Sequence, residues 1–215
     1  MSRYRRYNRK TVAVITPPST LAVSLSDMKA YLVVEGSTDD ALLTAFIKAA
    51  TEAAKQYLKR AIVSETLELT MDGFETFNDD LVVELGPGMH TISYPYLLGG
   101  SDTIDLPFPP VQSVTSIKTF DRANTESTFN SANYQLDGPS GRVFLNDGVT
   151  WPENLRDRAA VKVRYVAGYA ATPEPIIQGI KQHVAAMYEC REACAMPEVS
   201  RSIMAGFKLY DGLMG

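Results

Sequence analysis

Cysteine, histidine and long apolar runs are scarce in this sequence. The 215 residues include two cysteines, Cys190 and Cys194, and two histidines, His90 and His183. Two cysteines in a chain of this length do not make a disulfide framework, so a reducing compartment is expected. No apolar run approaches the ~20 residues that cross a membrane, and no signal-peptide core follows the first residues. The sequence therefore predicts a soluble protein, made in a cytosol, with no membrane partner.

Patterns typical of enzymes and of cofactor sites are also missing. No Gly-x-Ser-x-Gly elbow surrounds a serine, and the glycine-rich turns lack the rest of a phosphate-binding loop. His183, Met187, Cys190 and Cys194 share one predicted helical face, but a zinc site needs ligands that converge tetrahedrally. Core packing is the favoured interpretation of that face. The sequence therefore predicts no catalytic residue, no metal ligand and no cofactor.

Charge is distributed unevenly along the chain, which has a net charge of −4. Residues 1–23 carry five basic side chains and no acidic ones, whereas residues 61–171 carry seven basic and fifteen acidic side chains. Because Lys and Arg contacts to phosphate supply most non-specific DNA affinity, the acidic middle argues against a DNA-wrapping protein. The basic terminus is either a solvated tail or a contact for an anionic partner. Its candidate residues are Arg3, Arg5, Arg6, Arg9 and Lys10.

Three helices are predicted from apolar spacing and capping signals. Ser24 followed by Asp27 has the form of a capping box, which predicts a helix over 27–33 that Gly36 ends. Apolar residues spaced by three and four predict a second helix over 41–58 and a third that begins near Pro173 and continues to about residue 195. The polar face of the second helix is predicted to carry Lys48, Glu52, Lys55 and Lys59.

Between the second and third helices the period of the apolar residues falls to two, which is typical of strands with one wet face. Strands are predicted over 66–71, 80–85, 104–108, 113–120, 134–136, 142–145 and 160–166. Turn residues at 137–141 predict a hairpin, and glycines bound a long loop over 86–100. Short strands without intervening helices favour an antiparallel sheet or a small sandwich.

These elements predict an α+β fold. We expect a small helical bundle, made of two N-terminal helices and one C-terminal helix, with an inserted antiparallel β-sheet or sandwich module and extended termini. The predicted divisions are 1–23 for an extended basic N-terminal arm, 24–60 plus 173–195 for the helical bundle, 61–172 for the β module and 196–215 for a C-terminal docking tail.

The C-terminal tail is rich in apolar residues for a segment outside the predicted bundle. As an exposed patch it would be a candidate for docking to a partner, and repetition around an oligomer would strengthen weak contacts. The alternative, that the tail folds back on its own bundle, is equally open. The candidate docking residues are Ile203, Met204, Phe207, Leu209 and Tyr210.

The order of several short phrases resembles the head–tail connector proteins of tailed bacteriophages, in particular the longer type with a β-rich insertion. The phrases are Leu25–Leu32, Asp39–Leu43, Ile104–Val114, Trp151–Pro152, Tyr165–Tyr169 and Pro175–Ile180. The likeness extends over roughly residues 16–195, and the order and spacing of the phrases are more specific than any one of them.

The resemblance implies a non-enzymatic adaptor in the virion neck. Such proteins form a ring, commonly of twelve copies, beneath the portal protein of the filled head, and they bridge to a stopper or tail-completion protein. Double-stranded DNA passes through the ring, and the candidate docking residues of the tail would contact the portal. A different class of function, a monomeric β-sandwich module that binds a peptide or a carbohydrate with the 86–100 loop as its mouth, is the alternative.

Overall fold

The computed structural model describes residues 9–74, 103–191 and 194–209, and within these ranges the fold is α+β. The helices are α1 (Leu25–Leu32), α2 (Asp40–Leu58), α3 (Glu174–Cys190) and α4 (Glu198–Met204). The strands are β1 (Lys10–Thr16), β2 (Glu65–Met71), β3 (Thr103–Asp105), β4 (Val111–Phe120), β5 (Glu126–Phe129), β6 (Tyr134–Asp137), β7 (Arg142–Leu145) and β8 (Val161–Ala167). Short 3-10 turns follow at Ser131–Asn133 and Ala205–Phe207.

The strands form two antiparallel sheets, as the sequence predicts. The larger sheet has the order β1-β2-β8-β4-β5, and the smaller has the order β3-β7-β6. The predicted hairpin is the β6–β7 pair, in which Gly141 has a φ of 73°. That left-handed conformation is readily adopted by glycine, and a side chain at this position would press on the Leu106 carbonyl.

Alternating side chains from both sheets fill one apolar core. On β2, Leu67, Leu69 and Met71 are buried, and on β8 the buried positions include Val163 and Tyr165. Both strands therefore have the half-buried alternation that their sequences predict. The single tryptophan of the chain, Trp151, lies in the same core.

A second core joins all four helices. The apolar stripe of α2 packs against α3, which contributes Ile176, Ile180, Val184 and Met187, and Met204 of α4 completes the cluster. The predicted start of the first helix is also present, because the Ser24 hydroxyl accepts a hydrogen bond from the Asp27 amide. The helix begins at Leu25, two residues earlier than predicted, and ends at Leu32, with Val33 in the left-handed conformation.

The two cores meet at a buried ion pair that the sequence interpretation misplaces. Lys55 was predicted on the wet face of α2, but it is buried, and its Nζ lies 2.6 Å from the Glu65 carboxylate at the start of β2. The Phe108 ring lies 5.1 Å from the same Nζ. The prediction is wrong here because helical spacing does not show that a distant strand brings a carboxylate to this side of the helix.

The predicted extended arm also has more structure than expected. Lys10–Thr16 pairs with β2 as an edge strand, so the larger sheet does not come only from the segment between the helices. The short strand β5 has no counterpart among the predicted elements. The predicted strand over 80–85 and the 86–100 loop lie outside the described residues.

Candidate docking surface

The C-terminal segment 198–209 lies on a platform formed by α2 and α3. Met204 is fully buried in the helical core, and it occupies the space above Gly179, a glycine in the middle of α3. A Cβ on Gly179 would lie 2.6 Å from the Met204 Cγ, so the absence of a side chain there makes the seat for this methionine. Close apolar packing of Met204 against α3 at Gly179 therefore holds the segment in place.

Polar contacts hold the same segment to the end of α2. The Leu209 amide donates to the Leu58 carbonyl at 2.9 Å, and Arg60 Nε donates to the Phe207 carbonyl at 2.7 Å. The Lys208 ammonium lies 4.8 Å from the centre of the Tyr57 ring. Because these contacts use the side chains and backbone of α2, the tail folds back on its own helices.

The structure places four of the five predicted docking residues in this segment. Ile203, Phe207 and Leu209 are half-buried, and Tyr210 lies outside the described residues. Met204 is not part of an exposed patch, because its side chain fills the helical core. The possibility of an exposed patch is therefore wrong for Met204, which anchors the segment instead. Ile203, Phe207 and Leu209 remain partly exposed at the surface of the segment.

Hydrogen bonds hold the loop between α1 and α2, which presents an apolar side chain. The Lys29 ammonium donates to the Gly36 carbonyl and to the Asp40 carboxylate, and the Tyr188 hydroxyl donates to Asp39 at 2.6 Å. The hydrogen bond to Asp39 raises the pKa of Tyr188 above its usual value. Within this loop Val33 is 87% exposed.

Of the predicted anionic-partner residues, Arg9 and Lys10 are described and lie, exposed, at the start of β1. Arg3, Arg5 and Arg6 lie outside the described residues. The Arg9 amide donates to the Asp72 carboxylate, which ties the start of the strand to the end of β2. These two cations therefore flank the open edge of the larger sheet.

The wet face of the larger sheet carries its own charge network. Glu68 on β2 accepts hydrogen bonds from Arg164 on β8, and the Lys162 ammonium lies 3.5 Å from the same carboxylate. Burial by itself would raise the pKa of Glu68, but the hydrogen bonds and charges of Arg164 and Lys162 outweigh it and lower this pKa below its ordinary value. The network stabilises the pairing of β2 with β8, which are inner strands of the larger sheet. It does not reach the edge strands β1 and β5.

His183 Nε2 lies 3.1 Å from the carbonyl oxygen of Cys194, and His90 lies outside the described residues. His183 and Met187 are buried in the helical core, whereas Cys194 is half-buried and Cys190 is exposed, so the predicted core packing is wrong for Cys190. Within residues 9–74, 103–191 and 194–209 no group of three or more His, Cys, Asp or Glu side chains could hold a metal ion. None of the helices in these ranges has the length and apolarity needed to span a membrane.

Sequence and fold comparisons agree on one class of protein. The sequence model of the phage gp6-like head-tail connector protein family matches residues 22–137, more than half of the 215 residues. No curated protein matches the chain.

Solved structures with a similar fold come from gene transfer agent (GTA) particles. A chain in the neck of an empty GTA particle, computed with C6 symmetry, has a TM-score of 0.70 and 19% identity, with 95% of this chain and 98% of that chain covered. A chain in the neck of the native GTA particle, computed with C12 symmetry, has a TM-score of 0.67 and 20% identity over the same shares. The fold and the sequence match confirm the predicted resemblance: the chain belongs to the phage gp6-like head-tail connector family, and its role is that of a structural connector.

Proposed function

We propose that copies of this chain form a closed ring in the neck of a tailed phage or phage-like particle. The observation that carries the proposal is the family match over residues 22–137, found on a chain that shares the fold of chains in GTA necks over nearly its whole length. Twelve copies would agree with the C12 symmetry of the native GTA neck. A head-to-tail contact between copies gives such a ring when the rotation per copy closes.

Each rim of the ring has its own partner in this proposal. The portal protein of the filled head binds one rim, and a stopper or tail-completion protein binds the other. The genome passes through the centre as double-stranded DNA without sequence-specific binding, and the excess of acidic residues over 61–171 keeps phosphate contacts few. The chain is synthesised in the cytoplasm of the bacterial host and becomes part of the virion neck.

We assign portal docking to the C-terminal segment. Ile203, Phe207 and Leu209 are half-buried and remain at the surface, while Met204 fixes the segment on α3. Tyr210 follows directly in the sequence and is included in the docking set. Because each copy in a ring presents the same segment, contacts that are weak in one copy give strong binding in the assembly.

Recruitment to purified portal rings of the same particle tests this function. Mass photometry is expected to show several copies of the wild-type chain bound to each portal ring. Ile203→Asp places a charge in the docking contact and is expected to weaken recruitment strongly. Val33→Asp, which puts the same charge on the exposed α1–α2 loop, is the matched control and is expected to bind as the wild type does.

The outcomes separate the two parts of the proposal. A wild-type chain that does not bind portal rings at any concentration would overturn the connector ring. A normal result for Ile203→Asp, with correct folding shown by circular dichroism, would instead place the portal contact elsewhere and leave the ring in place.

A further inference from the structure

Among the described residues, strand β1 forms one edge of the larger sheet. It pairs with β2 on one side, and all seven of its residues are exposed, with Val12 at 37%, Val14 at 51% and Ile15 at 43%. Proteins usually protect a sheet edge with charge, proline or a short strand. β1 begins with Lys10, but its other six residues, 11–16, contain neither a charge nor a proline, whereas β5 at the opposite edge has only four residues.

The exposed valines continue the apolar face of the sheet. Val12 lies opposite Leu69, and Val14 lies opposite Leu67. Cross-strand partners point to the same face, and both leucines are fully buried in the β core. The apolar face therefore extends by one strand beyond the part that the chain itself covers.

The outer face of the smaller sheet carries one aromatic side chain among polar ones. On β7, Val143 points into the core, so Phe144 points to the other face, where it is half-buried and outside both described apolar cores. Its cross-strand neighbours are Thr103 on β3 and Gln135 on β6, which places the aromatic ring at the centre of this face.

Carboxylates outnumber cations around Phe144. In the neighbouring cross-strand row Arg142 lies between Asp105 and Asp137, and Asp147 is exposed just after β7. Arg142 Nε donates to Asp105 at 3.1 Å. One arginine among three exposed carboxylates gives Phe144 acidic surroundings.

We propose that the open edge of β1 in one copy binds the outer face of the β3-β7-β6 sheet in the next copy. Val12, Val14 and Ile15 supply the apolar contact with Phe144. The exposed cation Arg9, just before β1, faces the acidic residues around Phe144. The two surfaces are different parts of the molecule, so the contact is heterologous and can continue from copy to copy, as a ring requires.

This inference deepens the proposed ring by naming its contact, and a disulfide trap tests it without any portal protein. The background is Cys190→Ser with Cys194→Ala, which removes both native thiols. Val14→Cys and Gln135→Cys are then introduced in one chain, and the concentrated protein is oxidised with copper phenanthroline. Gln135 lies beside Phe144, so the ring that carries the proposed contact is kept.

A ladder of crosslinked copies is expected on a non-reducing gel. The control chain with Val33→Cys and Gln135→Cys has a more accessible thiol on another surface, and it is expected to crosslink at least about tenfold less. Adding Phe144→Asp or Arg9→Asp to the trap chain is expected to reduce the ladder, as is high salt, since charge contributes to the contact. Separate single-cysteine chains, when mixed, should give dimers and no longer species.

A ladder no stronger than that of the Val33→Cys control, or one that Phe144→Asp leaves unchanged, would overturn the inference. Because the trap uses the free chain, this failure differs from a failure of portal recruitment. A chain that binds portal rings but gives no specific ladder keeps the connector function and loses only this contact.

Discussion

At the scale of single residues, the ion pair between Lys55 and Glu65 decides how the helices meet the sheet. Their side chains are 9% and 3% exposed, so both charges are desolvated and each is compensated by the other. Burial, with a further contribution from the Glu65 charge, raises the pKa of Tyr165, whose hydroxyl donates to the Pro107 carbonyl. The pair therefore lies within a larger set of buried polar groups.

Removing one partner of this pair should strongly destabilise the fold. Lys55→Met leaves the Glu65 carboxylate buried without its cation, and we expect a loss of about 3–5 kcal/mol in the free energy of unfolding. Replacing both residues, as in Lys55→Met with Glu65→Leu, should restore much of that loss, because no charge is then stranded. Urea denaturation of the three proteins measures the differences.

A surface ion pair of the same length supplies the control. Lys118 and Glu126 are also 2.6 Å apart, but their side chains are 40% and 46% exposed. Lys118→Met should therefore change the free energy of unfolding by only about 0–1 kcal/mol. Equal losses for Lys55→Met and Lys118→Met would show that burial does not govern the Lys55 pair.

At the scale of elements, α4 is held by shape more than by its own helical preference. It has seven residues, too few for a stable isolated helix, and its buried side chains are Ser200 and Met204. The fit between Met204 and Gly179 on α3 fixes its position. The position of α4 therefore depends on the absence of a side chain at Gly179 on α3.

Filling that space should displace α4. Gly179→Val places methyl groups where Met204 lies, and overpacking of this kind costs about 1–3 kcal/mol. Trypsin should then cut faster after Arg201 and Lys208, and Met204→Ala should suppress part of the effect in the double variant. Gly206→Val is the control, because a Cβ there meets no atom within 4 Å. Unchanged proteolysis of Gly179→Val would contradict the fitted seat.

Local patterns predict the elements whose signals are contained in their own sequence. The stripe of α2, the alternation of β2 and β8 and the cap at Ser24 are all present as predicted. Strand β1 is not predicted from its sequence, because its pairing partner begins about fifty residues later. The prolines after Thr16 also favour an unpaired arm. The burial of Lys55 and of Met204 likewise depends on contacts between distant segments.

The proposed contact surfaces can be predicted from the sequence only in part, for the same reason. The basic residues before β1 and the apolar tail stand out in composition, and both contribute to proposed interfaces. Phe144 gives no signal of its own, since its outward direction follows from the burial of Val143 in a sheet formed by three separate strands.

At the scale of the whole molecule, two apolar cores share a connected interface. The Ala61 amide donates to the Phe108 carbonyl, and Gly168 passes so close to Val63 that a Cβ would lie 2.5 Å from its carbonyl oxygen. With the Lys55–Glu65 pair, these contacts tie the end of α2 to the loops at one end of the β core. Separating the cores would leave buried charges and backbone groups without partners.

We therefore expect the two cores to unfold together. Trp151 lies in the β core, stacked 4.3 Å from Phe74, so its fluorescence reports that core, while ellipticity at 222 nm reports mainly the helices. Coincident urea midpoints for the two signals are the expected result for a cooperative unit. Two separate midpoints in the wild type would mean that the helices and the β module fold independently. In Lys55→Met the shared interface is weakened, so the two midpoints should lie further apart than in the wild type.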